Sequence, residues 1–454
     1  LVPPKQNKPV ALWHGRVISE GRFFSHVHEI SQSLPAAVCG LNLCEDRYRF
    51  LVAFLALQLR GQRTVLPPNQ TEKVIAELID RYPSAYLLTD PEDRRDAAAE
   101  RFVVAPDVDD PGRNRMAQPP VVRSDPIAAI SYTSGSTGLP VGHEKSWGVF
   151  QKGAELALKS LDLKYRSWTV VATVPPQHMY GLETSIVWPF FSDLVMDAGR
   201  PFFPEDIRRT LTSSPFPCLL VSTPCHLKAC IESDIRWGNV AMVLSSTAAM
   251  DEALAEKVEQ RFEAPLYELF GSTETLSFAW RHSVEQQRWR LYSGMELTEQ
   301  DGCVLLQGGH LPGAVPLDDL LAIHSEHEFS VVGRRSGIIK IGGKRSSLAE
   351  LNRRLTDIEG VEDGLFFNRN DDASTHRLGA IVVSELPRSM IVQALRCSLD
   401  ELFLPRPMLF VDRIPRNALG KVVKAELERL IAVASGGTGH VADSTPPTAA
   451  EVRN

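Results

Sequence analysis

Apolar residues in this chain cluster in short runs between polar, turn-forming stretches. That texture predicts buried strands separated by helices. Thr64 to Leu66, Tyr86 to Leu88, Ile127 to Ile130, Thr169 to Val174, Cys218 to Val221, Val240 to Leu244 and Leu266 to Leu269 read as strands. Residues 45–60 read as a helix with Phe50, Phe54 and Leu57 on one side, ended by Gly61-Gln62-Arg63. Pro67-Pro68 stops the strand after it, and Asp251 to Phe262 reads as a further helix. Strands alternating with helices predict an α/β core with substantial parallel sheet.

The texture changes at Gly333. A basic, Gly-rich stretch to Arg345 leads into a helix at Leu348 to Leu355. Strands at Gly364 to Phe367 and Leu378 to Val383, a helix at Met390 to Leu402, a strand at Met408 to Val411 and a helical run from Val422 to Leu430 follow. This predicts a small α+β domain of roughly 100 residues. The expected boundaries are 1–333, 334–433 and a tail, 434–454, whose Ser/Gly/Thr/Pro composition predicts disorder.

Length and charge narrow the functional classes. At 454 residues the chain exceeds what one core supports, so two or more domains are expected. A net charge of −7 without a dense Lys/Arg tract makes nucleic acid a poor partner. The longest apolar run, Phe50 to Leu57, is far too short to span a bilayer. No signal-peptide pattern is visible. The seven cysteines form no C-x-x-C pair, and reduced thiols in a cytoplasmic protein are expected.

Several polar segments follow the predicted strands, where open α/β sheets place their ligands. Ser131-Tyr132-Thr133-Ser134-Gly135-Ser136-Thr137-Gly138 offers backbone N–H and hydroxyl donors suited to phosphate, or it is a plain turn. It is not a Walker A loop. In Phe270-Gly271-Ser272-Thr273-Glu274, the carboxylate suits Mg²⁺, or it caps a following helix. Phe270 either stacks on a base or packs. In Pro175-Pro176-Gln177-His178-Met179-Tyr180-Gly181, His178 gates a pocket or is structural. Pro415-Arg416-Asn417-Ala418-Leu419-Gly420-Lys421 sets an ammonium on an exposed loop.

In order along the chain, Y-T-S-G-S-T-G-x-P, P-x-x-H-x-x-G, F-G-S-T-E, G-R-x-x-x-I-I-K-x-x-G and P-R-N-x-x-G-K resemble the core motifs of the adenylate-forming superfamily. That family contains acyl-CoA synthetases, aryl-CoA ligases and peptide-synthetase adenylation domains. The resemblance spans about residues 40–430 and implies a large N-terminal domain of α/β subdomains with a small mobile C-terminal α+β domain. It implies that Thr133, Ser134, Gly135, Ser136, Thr137 and Gly138 hold the ATP phosphates. Phe270 and Gly271 would lie near adenine, flanked by Ser246 and Thr247 in the 245–248 turn. Ser272, Thr273 and Glu274 would serve phosphate and Mg²⁺. Asp319, favoured over Asp318, would take the ribose hydroxyls, and Arg334 the ribose or phosphate edge. Lys421 would bridge the carboxylate and the α-phosphate. The acid pocket would be lined by His178, Tyr180, Gly181, Ser185, Ser222, Ser246 and Ser272, and Gly343 would line a thiol tunnel.

The implied chemistry is ATP-dependent formation of an acyl-adenylate from a small carboxylic acid, with pyrophosphate leaving. A phosphopantetheine thiol then displaces AMP. Several hydroxyls in the pocket suit a small aromatic acid bearing a polar group. The compact N-terminal region and the stretch Gly271 to His282 resemble adenylating enzymes of bacterial aryl-polyene and xanthomonadin-type pigment pathways, which load 4-hydroxybenzoate onto an acyl carrier protein. The alternatives are an aryl- or fatty acyl-CoA synthetase using free coenzyme A, and a catalytically silent adenylate-binding regulator. Three positions depart from the family pattern. Val141 stands where P-K-G carries lysine, with Lys145 nearby. Arg335-Ser336-Gly337 stands where the hinge is usually acidic. The ribose motif lacks its Thr-Gly.

Overall fold

The computed structural model describes residues 8–95, 99–107, 123–134, 140–248, 250–300, 302–334, 338–341, 344–368, 378–399, 401–417 and 420–436. They divide into two compact units. The larger holds the residues up to 317 and 321–331; the smaller holds 318–320, 332–417 and the residues from 421 onward.

Two sheets build the larger unit. The first has six strands, in the order Arg101–Val103, Tyr86–Thr89, Cys39–Asn42, Arg63–Leu66, Ile127–Ser134 and Pro140–Ser146. All neighbours are parallel except the last pair, an antiparallel hairpin. The second sheet has eleven strands. Its centre is parallel, running Leu266–Ser272, Val240–Ser245, Cys218–Ser222, Thr169–Ala172, Val195–Asp197 and Pro9–Trp13. It turns antiparallel at Leu276–His282 and Trp289–Leu291. A small three-stranded sheet lies at 295–316.

The helix Arg47–Leu59 shows why one-sided patterning failed as a guide here. Asp46 caps its N-terminus by accepting from the Arg49 N–H at 2.9 Å. Every side chain from Arg47 to Leu57 is buried except the half-buried Arg49. The helix touches strands of both sheets, so buried positions run almost all the way round it. Phe50, Leu51, Phe54 and Leu57 each contribute about 1.5–3 kcal/mol by burial.

In the smaller unit, an antiparallel hairpin Ile338–Ile341/Lys344–Ser347 precedes the helix Leu348–Thr356. The three-stranded sheet Val361–Asn368, Leu378–Ser384, Met408–Phe410 carries the helices Arg388–Ser398 and Lys424–Gly436. Leu351, Leu355, Phe366, Ile391 and Leu395 form one side of its core. The last helix runs past residue 433, so 434–436 are helical rather than tail; 437–454 lie outside the described residues. No helix among the described residues is long and apolar enough to cross a membrane.

Candidate active site

The strand from Ile127 does not stop at Ile130 but runs on to Ser134, so Ser131, Tyr132 and Thr133 belong to a hairpin and not to a loop. Its partner strand sets Val141 opposite Thr133, His143 opposite Ser131 and Lys145 opposite Ala129. Gly135, Ser136, Thr137 and Gly138 lie outside the described residues, as does the Ser134 side chain. Thr133 Oγ1 is 3.2 Å from His143 Nε2. The same ring nitrogen is 3.3 Å from Glu274 Oε1.

Glu274 sits in the turn between Leu266–Ser272 and Leu276–His282. The following element is a strand, so the helix-cap reading of this acid falls away. The turn is bound internally. Ser272 N–H donates to Thr275 Oγ1 at 3.0 Å, and Thr275 N–H donates back to Ser272 Oγ at 3.3 Å. A Cβ on Gly271 would come within 2.1 Å of the Leu276 carbonyl, which explains glycine there. Burial pushes the Glu274 carboxyl up, but the Ser272 hydroxyl, its own N–H, His143 and Lys145 outweigh that and hold it below the usual carboxylate range. Glu274 is therefore an anion at neutral pH. Thr273 beside it is half-buried.

Two other segments reach this end of the eleven-stranded sheet. After Val240–Ser245, Ser246 donates its hydroxyl to the Leu269 carbonyl at 3.0 Å. Thr247 follows at φ +82°, a conformation that a β-branched residue adopts only under constraint. Phe270 is half-buried in an aromatic cluster, with ring centroids 5.1 Å from Trp289, 5.4 Å from Phe278 and 5.6 Å from Phe329.

The segment after Thr169–Ala172 begins a helical run from Met179 to Phe190 with a π turn at Glu183–Val187. His178 caps it, Nδ1 accepting from the Tyr180 N–H at 3.3 Å. Gly181 packs so closely that an added Cβ would meet the Pro175 carbonyl at 2.1 Å. The hydroxyls expected in the acid pocket are committed elsewhere. Tyr180 donates to the Leu244 carbonyl at 3.0 Å. Ser185, fully buried, donates to the Gly181 carbonyl at 2.6 Å and accepts from Arg47 Nε at 3.2 Å. Ser222, also fully buried, lies 3.0 Å from Thr173 Oγ1, which in turn faces His226. Ser185 is thus part of the scaffold and not of a pocket lining.

Glu183 and His143 are site-side groups that sequence patterning did not single out, and Lys145 was noted only for its nearness to Val141. Glu183 is buried in the π turn and accepts from the Ser277 N–H at 3.0 Å and from the Ser277 hydroxyl. It ties the His178 segment to the strand that leaves the Glu274 turn. Burial pushes its carboxyl up to about 7 against the Ser277 hydrogen bonds. Between pH 4.5 and about 7 the folded chain holds a proton that the unfolded chain has released, so stability falls as pH rises through that window. Glu183→Gln should remove this slope, on the order of 3 kcal/mol in all. Urea unfolding of both proteins at pH 5 and pH 8 checks it; equal pH dependence would refute the assignment.

The remaining residues belong to the smaller unit. The loop bearing Lys421 closes on itself. Asn417 N–H donates to the Lys421 carbonyl at 2.8 Å, and Lys421 N–H donates to Asn417 Oδ1 at 3.0 Å. Arg416 and Val422 pair as an isolated bridge, and Arg416 grips Asp363 with contacts of 2.8 and 3.0 Å. The Lys421 side chain is exposed. Asp319 opens the strand Asp319–Ile323, which neighbours Glu328–Arg334, the strand ending at Arg334. The Arg334 side chain and Gly343 lie outside the described residues.

Comparison with known proteins gives this arrangement its context. The family profile described as AMP-binding enzyme matches residues 39–311. The 4-coumarate–CoA ligase of Halorhodospira halophila is 28% identical over 302 residues, covering 64% of this chain and 73% of its own. The indoleacetate–CoA ligase of Aromatoleum aromaticum is 26% identical, covering 67% of each. Among solved structures, O-succinylbenzoate coenzyme A synthetase from Bacillus subtilis with AMP superposes with a TM-score of 0.77 at 17% identity, covering 93% of this chain and 95% of that one. ATP-bound MatB from Rhodopseudomonas palustris gives 0.78 at 18%, covering 93% and 96%. These likenesses fix an α/β fold with a large N-terminal and a small C-terminal domain. The chain belongs to the AMP-binding, adenylate-forming enzymes and is an AMP-forming acid–thiol ligase.

Proposed function

We propose that this enzyme activates an aromatic or arylalkyl carboxylic acid and transfers it to the pantetheine thiol of coenzyme A. The observation that carries this reading is the chemistry of its relatives. The ligases named for 4-coumarate, indoleacetate, 2-succinylbenzoate and 4-chlorobenzoate all join a ring-bearing acid to coenzyme A. They favour free coenzyme A over the carrier protein that the sequence suggested. Activation of 4-hydroxybenzoate for an acyl carrier protein is the second reading, and it rests on the resemblance carried by the compact N-terminal region and the stretch Gly271 to His282, with the hydroxyls expected in the pocket.

A carboxylate is a poor electrophile, so the acid must first become an anhydride. One carboxylate oxygen attacks the α-phosphorus of ATP, and the bond to the β-phosphate oxygen breaks, releasing pyrophosphate. The thiol sulfur then attacks the acyl carbon and AMP leaves. Negative charge builds at phosphorus in the first step, and fixed cations placed there before reaction lower the barrier. Lys421 is the proposed cation on the α-phosphate. Thr133, with Ser134 to Gly138 after it, is the proposed phosphate cradle. Ser246, Thr247, Phe270, Gly271, Ser272 and Thr273 are proposed around the nucleotide, with Asp319 and Arg334 on the ribose side and Gly343 on the thiol path.

The described residues contain no group of three or more His, Cys, Asp and Glu that would hold a metal by themselves. A single ionised carboxylate at Glu274 still fits magnesium, which keeps several waters and is held by one or two carboxylates together with substrate phosphates. A bound magnesium would add positive charge against the leaving pyrophosphate.

Pyrophosphate release measured with 4-coumarate, 4-hydroxybenzoate, 2-succinylbenzoate and octanoate tests the acid. An aryl acid is expected to exceed octanoate at least about tenfold, because one tenfold step is only about 1.4 kcal/mol of differential binding. Octanoate winning would overturn the aryl reading. Mass spectrometry with coenzyme A and a holo carrier protein in one tube then tests the acceptor, and acyl transfer to the carrier protein alone would promote the second reading.

A further inference from the structure

Lys145 is an unusual place for a charge. It lies on Pro140–Ser146, facing inward opposite Ala129, and is only 7% exposed. Among the described residues its ammonium donates to one acceptor, the main-chain carbonyl of Glu274, at 2.8 Å. No carboxylate among the described residues lies within ion-pair distance of it. A buried ammonium has three donors to satisfy and a charge to neutralise, and folded proteins rarely leave both undone. Burial pulls its pKa down, and Glu274 pulls it back up.

Its neighbours point to what completes it. Val141, His143 and Lys145 alternate along one strand and so share a face of the hairpin. His143 Nε2 stands between Thr133 Oγ1 and Glu274 Oε1, at 3.2 and 3.3 Å. Burial holds this imidazole below its ordinary pKa, and Lys145 lowers it further against the pull of Glu274. Thus the hairpin Ile127–Ser134/Pro140–Ser146 and the turn that carries Glu274 are joined by a neutral imidazole, which also meets Thr133, and by a buried ammonium from the same strand. The two motifs are distant in sequence, and this pair of side chains couples them.

We propose that Lys145 is the buried cation for the polyphosphate end of ATP, and that His143 is the positioning residue that holds Thr133 and Glu274 in register around it. The inference rests on the adenylation reading above, but not on the choice of acid or acceptor. Lys145 serves two ends: its hydrogen bond fixes the Glu274 turn, and its charge attracts the β- and γ-phosphates and then the released pyrophosphate. AMP, which lacks those groups, should be indifferent to it.

Calorimetric titration with ATP, pyrophosphate and AMP separates the two roles without any acid present. Lys145→Gln keeps a donor for the Glu274 carbonyl and removes the charge; Lys145→Met removes both. The Gln variant should bind ATP and pyrophosphate at least about tenfold more weakly and AMP within about twofold of wild type. A Gln variant that binds all three as wild type does would overturn the proposal, and so would an equal loss for AMP and ATP, which a purely structural tie would give. If Lys145→Met does not fold, the Gln titration still decides. For His143, His143→Gln should raise the KM for ATP with a smaller effect on kcat, and His143→Phe should do so more strongly. An unchanged KM in both would remove His143 from the site.

Discussion

Lys421→Ala should lower adenylate formation by at least about 100-fold, roughly 2.7 kcal/mol in the barrier, while leaving thioester formation from a supplied acyl-adenylate within a fewfold of wild type. The local structure makes this a clean experiment. The loop keeps its shape through main-chain atoms of Lys421 and the Asn417 side chain, and through the Arg416–Asp363 pair, none of which the substitution removes. The exposed side chain supports no core, so little stability should be lost. The expected asymmetry between the half-reactions follows from charge: only the first passes through a crowded, negatively charged phosphorus. Pyrophosphate exchange measures the first half-reaction, and thioester yield from synthetic acyl-adenylate measures the second. A loss shared equally by both would mean that the loop matters for the fold of the smaller unit and not for phosphoryl chemistry.

The parallel centre of the larger sheet was legible because its strands are buried on both faces. The strands Cys218–Ser222 and Thr169–Ala172 therefore read as near-continuous apolar runs, with only Ser222 and Thr169 at their ends polar. Antiparallel extensions were harder to read. Ser131, Tyr132 and Thr133 look like a polar loop, yet the partner strand Pro140–Ser146 satisfies their backbone and carries them on as strand. Likewise, Gly271-Ser272 in Leu266–Ser272 resembles a helix start, but it leads into a hairpin whose return strand closes against it. The helix Arg47–Leu59 showed its length but not its environment, because packing between two sheets removes the polar face that periodicity detects.

The site itself was legible only where a motif is contiguous. The motifs that carry Glu274 and Thr133 stand out in the sequence, whereas the Glu274 contacts of His143 and Lys145 bridge more than a hundred residues and follow from the meeting of two separate hairpins. Ser185 shows the opposite failure. Its polar side chain next to a motif suggested a pocket lining, but folding gives both of its hydrogen-bonding roles to Gly181 and Arg47.

Arg47→Met should be the most destabilising single change, by about 3–5 kcal/mol. Arg47 is fully buried near the start of its helix. Burial pulls its pKa down to about 10, so it remains charged at neutral pH. Its guanidinium donates to the carbonyls of Ala172 at 2.6 Å, of Val174 and of Gly199, and to Ser185 Oγ at 3.2 Å. Methionine fills much of the same volume but donates nothing, so the two buried carbonyls of Ala172 and Val174 lose a partner at roughly 1–3 kcal/mol each, and the partly buried carbonyl of Gly199 loses one at smaller cost. The position of those carbonyls links this loss to function. Ala172 ends its strand, Val174 lies in the segment between that strand and Pro175-Pro176-Gln177-His178, and Ser185 lies one helical turn beyond Gly181. The melting temperature should therefore fall by more than about 5 °C, and KM for the acid should rise more than KM for ATP. Arg47→Lys should recover part of the stability, since an ammonium can reach some of these acceptors but cannot span all four in one plane. A methionine variant with an unchanged melting temperature would show that the carbonyls find other donors and that Arg47 does not hold this segment.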